Sequence, residues 1–512
     1  MAIVTPTDPT GDGHRRYELA SPATRELIGE LVCDSPADVK AMIATAREVQ
    51  PAWEALGVQS RAEYLQRALA VLVERQDDFI DTIVRESGKP RSEALMIDVF
   101  AAADSLSFLA KNAARWLRPE PVPTHGVLRF TKKVQVRYQP LGVVGVISPW
   151  NGPLILSLNP AIQALIAGNT VIVKPSEVTP YSGRLAVEVF ERAGIPEGVI
   201  QVAMGDGETG AALVDGGVDK VHFTGSVATG RKIAESCARQ LVPYTLELGG
   251  NDAMIVCRDA DLDAAAGGAV VGSMFNTGQY CCGTERVYVM EDVAEEFTAK
   301  VAERVRALRQ DTSGSFDVGP MFWDRQLEKV CEQVDAALAD GARAVVGGGR
   351  NEELPGLYFR PTVLTDVTHD MAVMREETFG PVLPIVPVSS VDEAIKLAND
   401  TSYGLAGSVW TSDVDAGIEI ASRMHTGSVS VNDMALTYGI PEAPFGGRGD
   451  SGVGQANGKV GVRSFTHAQP IVVDRFGGKQ TSGQYPYNER TEKAMQAMIR
   501  VMWGRGRARF GR

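Results

Sequence analysis

The sequence predicts an α/β protein built on two largely parallel sheets. Short runs rich in β-branched residues recur from Gly142 onward, helical stretches separate them, and the runs are continuously apolar rather than alternating. Strands of that kind belong in parallel sheets covered by helices on both faces. At 512 residues the chain can bury a large core and divide into two or three domains. Its 44% hydrophobic and 22% charged residues are ordinary for a globular protein.

In chain order, residues 36–118 read as helical. Apolar side chains recur at three and four spacing through 62–73, and glycine is confined to Gly57 and Gly88. Pro119, Pro121 and Pro123 then predict an extended stretch. Residues 128–138 alternate polar and apolar side chains, which suits an antiparallel strand with one wet face. The parallel rhythm begins with apolar runs at 143–147, 170–173, 200–203, 211–214 and 220–223, with helices near 158–167 and 181–193. It resumes with strands 253–256, 286–290, 343–346, 383–388, 406–410 and 428–431. The helices between them are 262–275, 293–308, 391–398 and 413–424. The break between the two domains falls near 248–250, and no internal repeat is visible.

Composition excludes several classes of function. The net charge of −13 gives no electrostatic reason to bind nucleic acid. Six scattered cysteines suit a reducing cytosol, and the opening MAIVTPTDPTGDGHRR lacks the apolar core of a signal peptide. No apolar run approaches the roughly 20 residues of a membrane-spanning helix, so the expected location is the cytoplasm. The six histidines show no metal-ligand spacing, so no metal site is expected.

The strongest chemical signal is Cys281-Cys282, preceded by Phe275-Asn276-Thr277-Gly278-Gln279-Tyr280. Neighbouring cysteines rarely bond each other. Small residues before a thiol leave room for a carbonyl to approach, and nearby dipoles are expected to favour the thiolate. The alternative is a pair of buried small hydrophobes. Asn151, after the strand 143–147, can aim an amide N–H at an oxyanion or stabilise a turn. Glu247 stands among apolar residues and glycines, where burial lifts a carboxyl toward the pKa of a general base; a structural carboxyl is the other reading.

Two segments can cradle phosphates. Gly205-Asp206-Gly207-Glu208-Thr209-Gly210 matches a dinucleotide fingerprint, but the following helix is short and no acid closes the next strand. A tight turn near the adenine side fits it better. Gly225-Ser226 ends the strand 220–223 and opens a helix, whose N-terminal N–H groups attract phosphate; Ser226 can equally be a plain cap. Lys174 and Glu177 end another parallel strand and can bond ribose hydroxyls, or form a surface pair of little energetic weight. A carboxylate beside that ribose repels a 2′-phosphate, which favours NAD over NADP.

Taken in order, these segments resemble the NAD(P)-dependent aldehyde dehydrogenase superfamily from about residue 20 to 475. The shared motifs are Pro149-Trp150-Asn151, Lys174-Pro175-Ser176-Glu177, Phe223-Thr224-Gly225-Ser226, Leu246-Glu247-Leu248-Gly249-Gly250 and Gly278-Gln279-Tyr280-Cys281. Glu376-Glu377-Thr378-Phe379-Gly380-Pro381 and Pro444-Phe445-Gly446-Gly447 complete the set. The resemblance implies an aldehyde dehydrogenase-like fold with a Rossmann-type cofactor domain (1–122 and 141–249) and an α/β catalytic domain (250–464). A small β bridging element (123–140 and 465–484) would join subunits into a homodimer or homotetramer, and 485–512 is an added basic, amphipathic extension.

The resemblance also implies roles. Cys281 is the nucleophile, Asn151 and the Cys281 N–H are the oxyanion donors, and Glu247 is the base that activates water. Trp150, Lys174, Ser176, Glu177, Gly225, Ser226, Leu248, Glu377 and Phe379 would bind NAD, with NADP possible. Gly152, Ile155, Phe275, Tyr280 and Cys282 would line the substrate tunnel. Gly152 replaces a bulky aromatic, and Phe275 stands where relatives acting on acidic semialdehydes carry arginine. A roomy, apolar tunnel for medium-chain or aromatic aldehydes follows. A CoA-acylating enzyme and a non-catalytic cofactor-binding protein are the alternatives. The Met-rich stretch 494–503, ending in Arg505, Arg507, Arg509 and Arg512, could pack on a neighbouring subunit or touch an anionic membrane surface.

Overall fold

The computed structural model of the chain describes residues 3–7, 14–434, 436–477, 485 and 487–504. Four sheets form among the described residues. The first to matter has six strands in the order Gly452–Val453, Tyr244–Glu247, Lys220–Thr224, Val143–Ile147, Thr170–Lys174 and Ile200–Val202. All neighbours are parallel except the edge strand Gly452–Val453, which is antiparallel to Tyr244–Glu247. Thus a short segment within the span 250–464 returns to the first sheet.

The second sheet has seven strands. Arg343–Val346 pairs antiparallel with Thr362–Thr365; Val382–Val388, Thr284–Met290, Asp252–Val256, Gly407–Trp410 and Ser430–Val431 follow in parallel. Val143–Ile147, Thr170–Lys174, Asp252–Val256 and Thr284–Met290 are buried along their whole length, as strands covered on both faces must be. Both sheets belong to one compact unit, Met1–Leu117 with Gln139–His467. The second unit, Arg118–Tyr138 with Ala468–Arg512, contains the sheet Thr466–Asp474, Lys132–Pro140, Glu120–Val122 and a terminal helix Glu489–Trp503.

Several expectations need correction. Residues 128–131 form a helical turn, Leu128–Thr131, and the strand starts only at Lys132. The apolar run 211–214 lies on a helix, Gly207–Asp215, capped by the Asp206 carboxylate. Its apolar residues Leu213 and Val214 are buried in the core that also holds Val143 and Val221. An antiparallel meander, Ile3–Thr7, Arg16–Ala20 and Leu27–Val32, and the amphipathic helix Asp324–Ala339 were not anticipated. The expected arginines at 505, 507, 509 and 512 lie outside the described residues.

Candidate active site

Strand register explains why the candidate residues converge. In the first sheet Ile147 sits beside both Lys174 and Phe223, and Glu247 sits beside Thr224. Four parallel strands therefore end at one level, and the segments 148–151, 175–177, 225–226 and 248–250 leave the sheet together. That carboxyl edge is where open α/β sheets accept ligands.

A cavity of about 720 Å³ lies there, lined by Trp150, Asn151, Gly225, Ser226, Glu247, Leu248, Cys281, Glu377 and Phe379 among others. An adjoining groove of about 1470 Å³ shares Pro149, Trp150 and Thr224 with it and adds Lys174, Ser176 and Glu177. Nucleophile, oxyanion donor and base candidates thus share one cavity.

Cys281 is brought in by a sharp reversal after the helix Leu262–Met274. Asn276, Thr277 and Gly278 take consecutive left-handed conformations, with φ of 55°, 59° and 68°. The two non-glycine residues cost about 1–3 kcal/mol each in that region and need outside support. The Asn276 N–H donates to the Glu93 carboxylate at 2.9 Å, and its Nδ2 donates to the Asn151 and Gln279 carbonyls, both at 2.9 Å. Gly278 is required on space as well: a Cβ there would lie 2.0 Å from the Gly380 carbonyl oxygen.

Asn151 is buried, and its Nδ2 donates to the Gln279 carbonyl at 3.1 Å. An amide nitrogen carries two protons, so one N–H fixes the group and the second is left for a ligand. Glu247 is 4% exposed, and neither carboxylate oxygen has a hydrogen-bond partner among the described residues. Burial, and next the nearby Cys281, push its pKa well above the usual carboxylate range. The Cys281 thiol is also raised, by its hydrogen bond with Cys282, by burial and by the charge of Glu377. These influences act against the dipolar bias toward thiolate that the sequence suggests.

Glu377 accepts the Gly250 N–H at 2.9 Å, and its carbonyl accepts from Lys329 Nζ at 2.5 Å. Phe379 meets Trp150 edge to face, with ring centroids 5.4 Å apart. Sequence reasoning missed the support behind this segment. The buried Glu285 carboxylate accepts the Thr378 and Phe379 N–H groups, each at 3.0 Å. Its pKa is lifted to about 7, mainly by burial. An acid within the fully buried strand Thr284–Met290 was the available signal.

In the groove, Lys174 Nζ lies 3.2 Å from a Glu177 oxygen. Ser226 caps the 14-residue helix Val227–Gln240, accepting the Thr229 N–H at 3.3 Å, and lines the groove. Gly205 makes a tight turn at φ 154°; Asp206 then accepts from Arg15 and Tyr17, while Gly207 and Gly210 line the groove beside Lys174. A helix N-terminus with a buried lysine and a carboxylate suits a dinucleotide, which needs N–H donors for phosphates and both partners for ribose hydroxyls.

The five tunnel candidates lie outside this cavity. An added Cβ at Gly152 would meet Ile155 at 3.3 Å and Leu156 at 3.4 Å. Ile155 is buried in the core, and the Phe275 and Tyr280 rings meet edge to face at 6.0 Å. Cys282 packs with Leu405, Ala406 and Phe445 and borders a separate small pocket.

Comparison with known proteins agrees with the geometry. The sequence profile described as the aldehyde dehydrogenase family matches residues 10–471. A Mycobacterium ulcerans protein that carries the name succinate-semialdehyde dehydrogenase (NADP(+)) 2 is 40% identical over 86% of this chain and 85% of its own. A 4,4′-diapolycopene aldehyde oxidase from Methylomonas sp. is 36% identical over 94% of this chain and 91% of its own. Among solved structures, a Mycobacterium tuberculosis aldehyde dehydrogenase complexed with NAD+ superposes with a TM-score of 0.86. It is 36% identical and covers 93% of this chain and 97% of that one. An E. coli NADP-dependent enzyme has a TM-score of 0.85 at 33% identity, covering 89% and 94%.

Proposed function

The chain belongs to the aldehyde dehydrogenase family, and on that premise we propose that it oxidises an apolar aldehyde to the carboxylic acid, with NAD preferred over NADP. One observation carries the reading: Cys281, Asn151 and an unpartnered, buried Glu247 line a single cavity that adjoins the Lys174–Glu177 groove.

Lys174, Ser176, Glu177, Gly225, Ser226 and Leu248 would hold the dinucleotide, with Trp150, Glu377 and Phe379 around its nicotinamide end. When bound, nicotinamide supplies the hydride acceptor. The protein supplies the remaining steps. Cys281 Sγ adds to the aldehyde carbon once its proton has passed to the deprotonated form of Glu247 in the same cavity, which gives that proton up to solvent before the hydrolytic step. The oxyanion that forms takes the second Asn151 N–H and the Cys281 N–H, and losing one such donor costs roughly 3 kcal/mol of barrier lowering. After oxidation the acyl group remains on Cys281 as a thioester. Glu247 then removes a proton from the water that attacks this thioester, releasing the acid and the thiol.

The preference for NAD rests on the Glu177 carboxylate beside Lys174, which repels a ribose 2′-phosphate. Glu177→Ala should raise the NADP-to-NAD ratio of kcat/KM by about tenfold. The apolar substrate rests on the resemblance, which puts Phe275 where some relatives acting on acidic semialdehydes carry arginine, and on Lys89 being committed to Asp98. The Methylomonas relative, named for a polyene aldehyde, supports it; the succinate-semialdehyde name of the mycobacterial relative points the other way. The test is NADH formation with hexanal, benzaldehyde and succinic semialdehyde, with and without CoA, using Cys281→Ala as the blank. A higher kcat/KM for succinic semialdehyde overturns the substrate class, and a strict need for CoA overturns hydrolysis. All six cysteines are free thiols, which fits the reducing cytoplasm we propose for it.

A further inference from the structure

Behind the oxyanion candidate lies an ion pair that no step above uses. Lys89 and Asp98 are completely buried, with Nζ 3.2 Å from Oδ2. Burying two charges is costly unless each is fully bonded, and the other contacts of this pair all lead to the active site. Lys89 Nζ donates to the Asn151 carbonyl at 3.0 Å and lies 5.3 Å from the Phe322 ring centroid. The Phe322 N–H in turn donates to Gln279 Oε1 at 2.9 Å.

Asp98 uses its second oxygen to accept the N–H groups of Leu154 and Ile155, at 3.0 and 3.2 Å. These are orphan donors at the start of the helix Pro153–Ala167, whose cap residue, Gly152, has no side chain to offer. Asp98 itself sits in a π-helical segment, Ala94–Phe100. Such widened turns are uncommon and gather at functional sites.

We propose that Lys89 and Asp98 are positioning residues for the oxyanion site. The carboxylate caps the helix that follows Asn151, and the ammonium holds the Asn151 carbonyl, so the asparagine is gripped on both sides. The Asn276 amide ties that same carbonyl to the Gln279 carbonyl two residues before Cys281. The distance between the Asn151 amide and the nucleophile is thereby fixed without either charge touching substrate. The inference rests on the reading of Asn151 as oxyanion donor.

The test is a double-mutant cycle on the full-length protein. Lys89→Met should lower kcat for aldehyde oxidation by roughly tenfold or more while KM for NAD stays within about twofold. In an Asn151→Ala background the same substitution should change kcat by less than about twofold, because the group it positions is gone. Equal losses in both backgrounds, or full kcat in Lys89→Met, overturn the proposal. Should Lys89→Met not fold, Lys89→Gln with Asp98→Asn, which removes both charges together, carries the same comparison. Acylation of Cys281 by p-nitrophenyl acetate, followed by mass spectrometry, repeats the cycle without cofactor or aldehyde. A chain inert to every aldehyde yet showing the cycle there would overturn the proposed function and leave the clamp standing.

Discussion

In the proposed reaction Cys281 and Glu247 carry the protons that have to move, and their surroundings raise the pKa of each. The sign is the same for each: a pKa above the ordinary value means the reactive, deprotonated form appears only as pH rises. Alkylation of Cys281 by iodoacetamide should therefore be slow at neutral pH, with its ascending limb above the ordinary thiol pKa of about 8.5. A bound oxidised nicotinamide brings a positive charge next to the thiol, so adding NAD should move that limb to lower pH. An unchanged limb would mean that the cofactor does not reach Cys281. The two residues also separate in time. Glu247→Gln should slow steady turnover by about 10²–10⁴-fold. If alkaline buffer takes the thiol proton in its place, a burst of NADH near one per site should survive, followed by a stable acyl-enzyme. Loss of the burst at every pH would assign Glu247 to acylation as well.

At the scale of elements, the turn 275–278 concentrates the constraint. Gly278→Ala combines a left-handed φ of 68° with a Cβ pressed against the Gly380 carbonyl. It should cost about 2 kcal/mol or more, lower the thermal midpoint, and reduce kcat by shifting the Gln279 carbonyl away from Asn151; an unchanged midpoint would show that this loop gives way freely. None of this was visible in the sequence, since Asn276 and Thr277 bear no mark of their left-handed backbone. The parallel strands were legible because burial on both faces forces unbroken apolar runs, and the motifs at their ends became legible with them. The meander Arg16–Ala20 and Leu27–Val32 escaped because Leu27 and Val32 are exposed and its pattern is mixed. Lys89 and Asp98 escaped for another reason: local sequence does not say which buried carbonyl or helix end a charged side chain will meet. Glu285 was half legible, an acid at the start of a strand that turns apolar at Val287, yet its partners lie 93 and 94 residues on.

For the molecule as a whole, the second unit poses the open question. Its three-stranded sheet is held in part by the Lys132–Asp474 ion pair, yet it leaves Phe130, Val472 and Phe476 about 60% exposed. The helix Glu489–Trp503 has no buried residue, and Met495, Ile499 and Trp503 share an exposed stripe at four-residue spacing. Small sheets of this kind are marginal alone, and an apolar surface of such density marks a contact site. No helix among the described residues is long and apolar enough to cross a membrane. The occupant we propose is a second copy of the chain, seated on the exposed Phe130, Val472 and Phe476. Sedimentation at micromolar concentration should give a dimer or tetramer, and Val472→Lys with Phe130→Asp should shift it toward monomer. Removal of everything after Gln484 should then alter the oligomer while leaving the chain absent from pelleted anionic liposomes. Liposome binding by the intact chain that vanishes on truncation would reassign the helix to a membrane surface, and a wild-type monomer would leave the bridging sheet without its partner.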